Sequence, residues 1–494
     1  MQRRTFLTAA SALALTAPKV VTSHPKSLLQ GPPEPAREFR GFWVATVGNI
    51  DFPSKQGLGV KQLQGELRNI VRRAVDMHCN AIVFQVRPAC DALYESKLEP
   101  WSEYLTGSQG KHPGIDPLAY LVAECRKAGI EIHAWFNPFR ARPSVAKGKA
   151  HPKHISRTNP EMVRTYGSLQ WLDPGDPRVR QHSLDVIADV VQRYDIDGVH
   201  IDDYFYPYRE TDKSTGKDLS FPDDATYAAY RQGGGQLLRD DWRRSNVDVF
   251  VEAMYRRVHS IKSACLVGIS PFGIWRPGYP AQIKGFDAYD QIYADSRKWL
   301  VEGWVDYFTP QLYWPIDRKP QSFPVLLNWW LSQNPHARHI WPGLYTGKYD
   351  ATEIEFQIKT ARGMDGASGH VHFSTKSLLK GDVRKGRSHA AHLRSRVYTT
   401  PAIVPASPWV SQSVASIDIE KDFAITDGAL TWQDLSGTSR SIYLQFEIDG
   451  EWRAAMIGPT SRRWRLPDGI SDVWVRIVSE CGAATDAVRI TAAT

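Results

Sequence analysis

Eight short apolar runs, at residues 40–46, 81–87, 131–137, 198–202, 265–270, 306–313, 339–345 and 369–374, alternate with longer stretches of helical periodicity such as 63–77 and 117–128. A short apolar run reads as a buried strand, and strands separated by helices pair in parallel because the crossover helix returns the chain to the same edge. Eight strand–helix units over about 360 residues match a (β/α)8 TIM barrel with enlarged loops. The competing doubly wound open sheet calls for a Gly-rich phosphate turn after a strand, and none occurs. The runs also end repeatedly in polar or aromatic residues: Arg87, Asn137, Asp202, Ser270, Gln311, Trp314 and Tyr345. In a barrel the C-terminal strand ends converge on one pocket, so these residues become neighbours.

The rest of the 494 residues divides around this barrel. Arg3 and Arg4 precede a short, Ala-rich, mildly apolar stretch, the pattern of a twin-arginine export signal over residues 1–22. That signal predicts work in the periplasm or beyond. A Pro- and polar-rich linker at 23–36 leads into the barrel at 37–398. Pro401, Pro405 and Pro408 punctuate a second linker, 399–408, after which 409–494 loses helical pattern and alternates in the strand manner. These last residues suit a small β-sandwich resembling fibronectin type III, which either binds a polymer or docks the barrel.

Composition excludes several classes. No apolar run approaches the roughly 18 residues that span a bilayer. Five scattered cysteines without a C-x-x-C form neither a disulfide framework nor a zinc module. The net charge of +8 is spread along the chain and mixed with acids, which excludes a nucleic-acid stripe and leaves loose attraction to anionic envelope polymers. No cofactor motif is present.

The strongest chemical signal is Asp197-Gly-Val-His-Ile-Asp-Asp-Tyr204. Strand alternation puts His200 and Asp202 on one side, with Asp203 on the other side or just past the strand end. Two adjacent acids are costly to desolvate together, because like charges oppose shared ionisation. We read Asp202 as a catalytic carboxylate aligned by His200 and Asp203, with Tyr204 and Tyr206 in a sugar platform. Glycoside cleavage needs two carboxyl groups, one to donate a proton and one to attack or to activate water. The second is open among Asp91, Asp203 and Asp317, with Glu252 a helix-surface alternative. Arg87 fits a carboxylate or a substrate oxygen through its fork, or a buried ion pair. Asn137, Gln311, Tyr313, Trp314, Tyr345 and Tyr94 offer the amides and rings that match sugar hydroxyls and C–H faces. The chain's 17 Trp and 20 Tyr suit such a surface, with Trp135 and Trp275 also at strand ends.

These segments resemble the glycosyl-hydrolase-like 10 family. The resemblance is carried by Arg40-Gly-Phe-Trp-Val, Asn80-Ala-Ile-Val-Phe-Gln-Val-Arg87, Asp91-Ala-Leu-Tyr94 and His133-Ala-Trp-Phe-Asn-Pro138. It continues through Trp171-Leu-Asp-Pro174, the Asp197–Tyr204 run, Ser270-Pro-Phe-Gly273 and Pro310-Gln-Leu-Tyr-Trp314, in order along the barrel. It implies an exported glycan hydrolase whose substrate is a polysaccharide, bacterial cell-wall (peptidoglycan) glycan among them. Two rivals stand beside it. A metal-dependent hydrolase would gather His370 and His372, on one side of the eighth strand, with His133, His200 and Asp202. A non-catalytic glycan-binding barrel would have lost its second carboxyl.

Overall fold

Every one of the eight apolar runs becomes a barrel strand. The computed structural model describes residues 31–492, apart from 145, 147, 213, 380–387, 412–416, 436 and 438, so the expected export signal at 1–22 lies outside the described residues. The strands are β1 (Phe39–Val44), β2 (Ala81–Arg87), β3 (Glu131–Phe136), β4 (Gly198–Ile201), β5 (Leu266–Ile269) and β6 (Tyr307–Phe308). Two short pieces, His339–Ile340 and Gly343–Leu344, make up β7, and β8 is Gly369–His372. All neighbours pair in parallel. The first piece of β7 pairs with β6 and the second with β8, which closes the barrel. Pro342 lies at the break; it has no N–H for the ladder, but its carbonyl accepts from Val371 N at 3.1 Å.

Helices follow each strand: α1 (Val60–Asp76), α2 (Pro117–Ala128), α3 (Pro177–Arg193), α4 (Arg239–Ile261), α5 (Ser296–Val301), α6 (Phe323–Ser332), α7 (Ala351–Arg362) and α8 (His389–Arg396). Their starts are written in the sequence. Asp116 and Asp176 cap α2 and α3 through their carboxylates, each followed by a proline at the first helical position. The apolar faces of α1 and α3, including Leu63, Leu67, Ile70, Val186 and Val190, pack on the outward residues of the strands.

The barrel interior is aromatic rather than aliphatic. Phe39, Trp43, Trp135, Tyr307 and Trp341 fill it, with Phe39 and Trp341 stacked at a centroid distance of 3.7 Å. Rings of this size fit because glycines face them. A Cβ on Gly268 would lie 1.9 Å from the Tyr307 ring, and one on Gly198 would lie 2.3 Å from His133 Nδ1. A buried polar chain threads the same space. Trp43 Nε1–H donates to His200 Nε2 at 3.1 Å, which leaves His200 Nδ1–H to donate to the Tyr307 oxygen at 3.1 Å. Tyr307 then donates to His133 Nδ1 at 2.8 Å, and His133 Nε2 meets Glu131 at 3.2 Å. Every buried polar atom in that chain has a partner, as the low-dielectric interior requires.

His370 and His372 do share a side of β8, but it is the outer one. Val371 takes the interior position, while both imidazoles hydrogen-bond to the hydroxyl of Tyr398, His372 at 2.7 Å. The expected gathering with His133 and His200 therefore fails: strand alternation groups alternate residues without saying which group faces inward.

Beyond the barrel, β9 (Phe423–Thr426), β10 (Ala429–Trp432) and β13 (Arg463–Arg465) form one antiparallel sheet. A second is built from β11 (Ser441–Ile448), β12 (Glu451–Ile457), β14 (Asp472–Val478) and β15 (Val488–Thr491). Leu430, Ile442, Leu444, Val473 and Val475 form their shared core. This module docks on the barrel at the N-terminal ends of the strands. Arg440 pairs with Asp197 just before β4, and Gly458 N donates to Lys127 O in the last turn of α2 at 3.0 Å. From the preceding segment, Trp409 Nε1–H donates to Asp306 just before β6 at 2.9 Å, and Ser407 bonds His339 at 3.0 Å. The module closes the face opposite the one where barrel sites are built.

Candidate active site

The C-terminal ends of the strands surround a cleft of about 190 Å³. Asp202 and Asp203 stand at its centre, where β4 ends. His200 and Asp202 both face inward, as alternation predicts. The imidazole lies one step deeper, in the polar chain below, and does not line the cleft. Asp203, just past the strand, also enters the cleft.

The two carboxylates are held in different directions. Asp202 accepts hydrogen bonds from Trp135 Nε1 at 3.1 Å, Asn137 Nδ2 at 3.2 Å and, longer, Tyr204 N at 3.4 Å. Trp135 comes from β3 and Asn137 from the residue after it. Asp203 accepts from the Tyr208 hydroxyl and from Gln311, which follows β6. Burial raises the Asp202 carboxyl to about 7, opposed by the Arg140 guanidinium and reinforced by the neighbouring Asp203 charge. Burial also raises Asp203, against the lowering effect of its hydrogen bonds from Tyr208 and Gln311. Asp202 is thus poised to carry a proton near neutral pH, the requirement for a general acid.

Aromatic rings and unspent hydrogen-bonding groups complete the walls. Trp43, Trp135, Tyr313 and Phe373 present their rings to the cleft, and Tyr204 lies 4.8 Å below the Arg140 guanidinium. Gln85 is fully buried at the cleft wall. Its Oε1 accepts from Thr46 N and Val47 N, both at 2.9 Å, which aligns the side chain and leaves Nε2 without a partner. A buried amide donor left open costs about 1–3 kcal/mol, a loss that a ligand oxygen would recover.

The other sequence-chosen residues fall into two groups. Asn137, Gln311 and Tyr345 support the site: Gln311 also donates to Ser270 O at 3.0 Å, and Tyr345 packs on Tyr313 and Phe373. Arg87 works behind it, paired with buried Glu99 at 2.5 Å and donating to the carbonyls of Asn137 and Pro138. That makes it a buried ion pair that shapes the turn carrying Asn137, and it does not reach the cleft. The rest stand away from the cleft. Asp91 is buried behind the loop after β2, accepting from Gln109 at 3.3 Å, with its carboxyl raised by burial to about 7. Tyr94 packs edge-on against Tyr194, and Trp314 packs against Phe272. Trp275 stacks on Trp329, Asp317 is exposed, and Glu252 pairs with Arg256 on the surface of α4. Sequence reasoning missed Arg140, Tyr208, Gln85, Trp43, Phe272 and Phe373. Tyr208 and Arg140 sit a few residues beyond quoted motifs, and Gln85 shares its alternation on β2 with Arg87, so spacing alone left them unranked.

The chain is similar to several known proteins. Glycosyl hydrolase YngK of Bacillus subtilis is 38% identical over 393 residues, covering 76% of this chain and 75% of that protein. Glycosyl hydrolase DigH of Escherichia coli K12 is 35% identical over 315 residues, covering 60% of this chain and 70% of that one. Among solved structures, the glycoside hydrolase domain of PgaB (BpsB) from Bordetella bronchiseptica aligns with a TM-score of 0.49 at 13% identity, over 73% of this chain and 98% of that one. The family model described as Glycosyl hydrolase-like 10 matches residues 38–359, from β1 into α7. The chain belongs to the glycosyl hydrolase-like 10 family.

Proposed function

We propose that this protein is an exported glycoside hydrolase that cleaves O-glycosidic bonds of a polysaccharide, with bacterial cell-wall glycan as its substrate class. The observation that carries the reading is the buried pair Asp202 and Asp203 at the end of β4, with Asp202 raised to about 7 inside an aromatic cleft. A carboxyl that keeps its proton at neutral pH can protonate a leaving glycosidic oxygen, the step that limits cleavage of an unactivated acetal. Rings stack on the C–H faces of a sugar, while Gln85 Nε2 and the carboxylates meet its hydroxyls. The export reading rests on the Arg3-Arg4 signal, and the net charge of +8 favours an anionic envelope polymer.

The test is reducing-sugar release from peptide-free glycan strands by the mature protein and by Asp202→Asn. Loss of about 10³-fold in kcat is expected, within the range for removing a general acid. Unchanged turnover would move the chemistry away from Asp202.

A further inference from the structure

Among the described residues, Asp202 and Asp203 are the only carboxylates lining the cleft. They are consecutive, so their Cα atoms lie about 3.8 Å apart and both side chains enter from the end of a single strand. In a double displacement the nucleophile must reach the anomeric carbon from the side opposite the leaving group, while the acid stands beside that group. Both carboxylates enter from the end of β4, and among the described residues no other carboxylate lines the cleft to stand across from them. Each is further tied in place, Asp202 toward β3 by Trp135 and Asn137, Asp203 toward β6 by Tyr208 and Gln311. The rings of Trp43, Tyr313 and Phe373 line the cleft beside them.

Resting on the glycosidase reading, we propose that the substrate supplies the missing nucleophile: the protein cleaves at a sugar bearing a 2-acetamido group, which Asp203 orients through its N–H while Asp202 acts as the acid. Asp202 gives its proton to the glycosidic oxygen as the C1–O bond breaks. The acetamido carbonyl oxygen forms a bond to C1 from the opposite face, and the resulting oxazolinium ion holds its positive charge against the Asp203 carboxylate. Water then attacks C1, the C1–O bond to the acetamido oxygen breaks, and Asp202, now ionised, takes the proton from that water. The acetamido group and both carboxyls are regenerated, one water is consumed, and the anomeric configuration is retained. The acetyl methyl rests against the faces of those rings.

The experiment uses the full chain with two probes, peptide-free strands of 2-acetamido sugars and the same strands chemically N-deacetylated. Proton NMR follows the first-formed anomer, and a thiazoline analogue of the 2-acetamido sugar serves as an inhibitor. Cleavage of the acetylated strands with retention, competitive inhibition by the thiazoline and at least a 100-fold slower reaction on deacetylated strands are expected. Asp203→Asn should lower kcat at least 100-fold with KM little changed. Inversion, or equal rates on both strands, would overturn the substrate-assisted route while leaving a glycosidase. No cleavage of either strand, with the thiazoline failing to bind, would overturn the glycosidase reading and this inference together.

Discussion

At the scale of single residues, the site's behaviour turns on one carboxyl. Asp202 is raised to about 7 by burial, whereas an unfolded aspartate titrates near 3.9. Between those values the folded protein holds a proton that the unfolded chain has released, so stability falls as pH rises from about 4 to about 7. Asp202→Asn removes that slope. The variant should match the parent near pH 4 and exceed it by about 1–3 kcal/mol at pH 8, measured by denaturant unfolding at both pH values. A gain of equal size at both would point to packing instead. Gln85 makes a second prediction. Gln85→Glu keeps the oxygen that accepts from Thr46 and Val47 but replaces the open donor, and kcat/KM should drop about 10–100-fold with the fold intact. Steady-state kinetics read this directly, and an unchanged kcat/KM would remove Gln85 from the binding surface. Asp202 and Asp203 were legible in the sequence because two adjacent acids at a strand end are costly and therefore informative. Arg87 and Asp91 are likewise charged residues at or just past a strand end, yet one is consumed by Glu99 and the other is buried behind a loop. Which charged strand-end residue faces the cleft depends on loop paths, and no periodicity encodes those.

Secondary elements were the most legible level. Each apolar run became a strand because burial on both faces demands continuous apolarity in a parallel sheet. The order of strand and helix then left the barrel as the one arrangement without a phosphate turn. The side on which β8 presents its histidines was not legible, because Val371 and its two neighbours are all buried and apolarity gives no contrast. Aromatic packing inside the barrel makes a prediction of its own. Gly268→Ala places a methyl 1.9 Å from the Tyr307 ring, and overpacking of this kind costs about 1–3 kcal/mol or more. Thermal unfolding should show a clearly lowered Tm. An unchanged Tm would mean that Tyr307, and with it the hydrogen bonds to His133 and His200, can shift freely.

For the whole molecule, the β-sandwich closes the floor of the barrel while the cleft opens at the other end. Asp197, Asp306 and His339 at the strand starts find partners in Arg440, Trp409 and Ser407. Losing the module removes Arg440, one of two cations (with Arg126) that pair with buried Asp197, and the hydrogen bonds to Asp306 and His339. Truncation after Thr400 should therefore lower barrel stability and reduce activity on long and short substrates alike, read by unfolding and by kinetics on both. Loss confined to polymeric substrate would make the module a glycan binder instead. The central claim, that the cleft hydrolyses glycosidic bonds, is tested most directly by mass spectrometry of products. The mature protein is incubated with a panel of glycans that includes peptidoglycan strands stripped of their peptides. Discrete oligosaccharides, absent with Asp202→Asn, are predicted. Intact glycans that bind the protein and yield no product would contradict the account and leave a glycan-binding barrel.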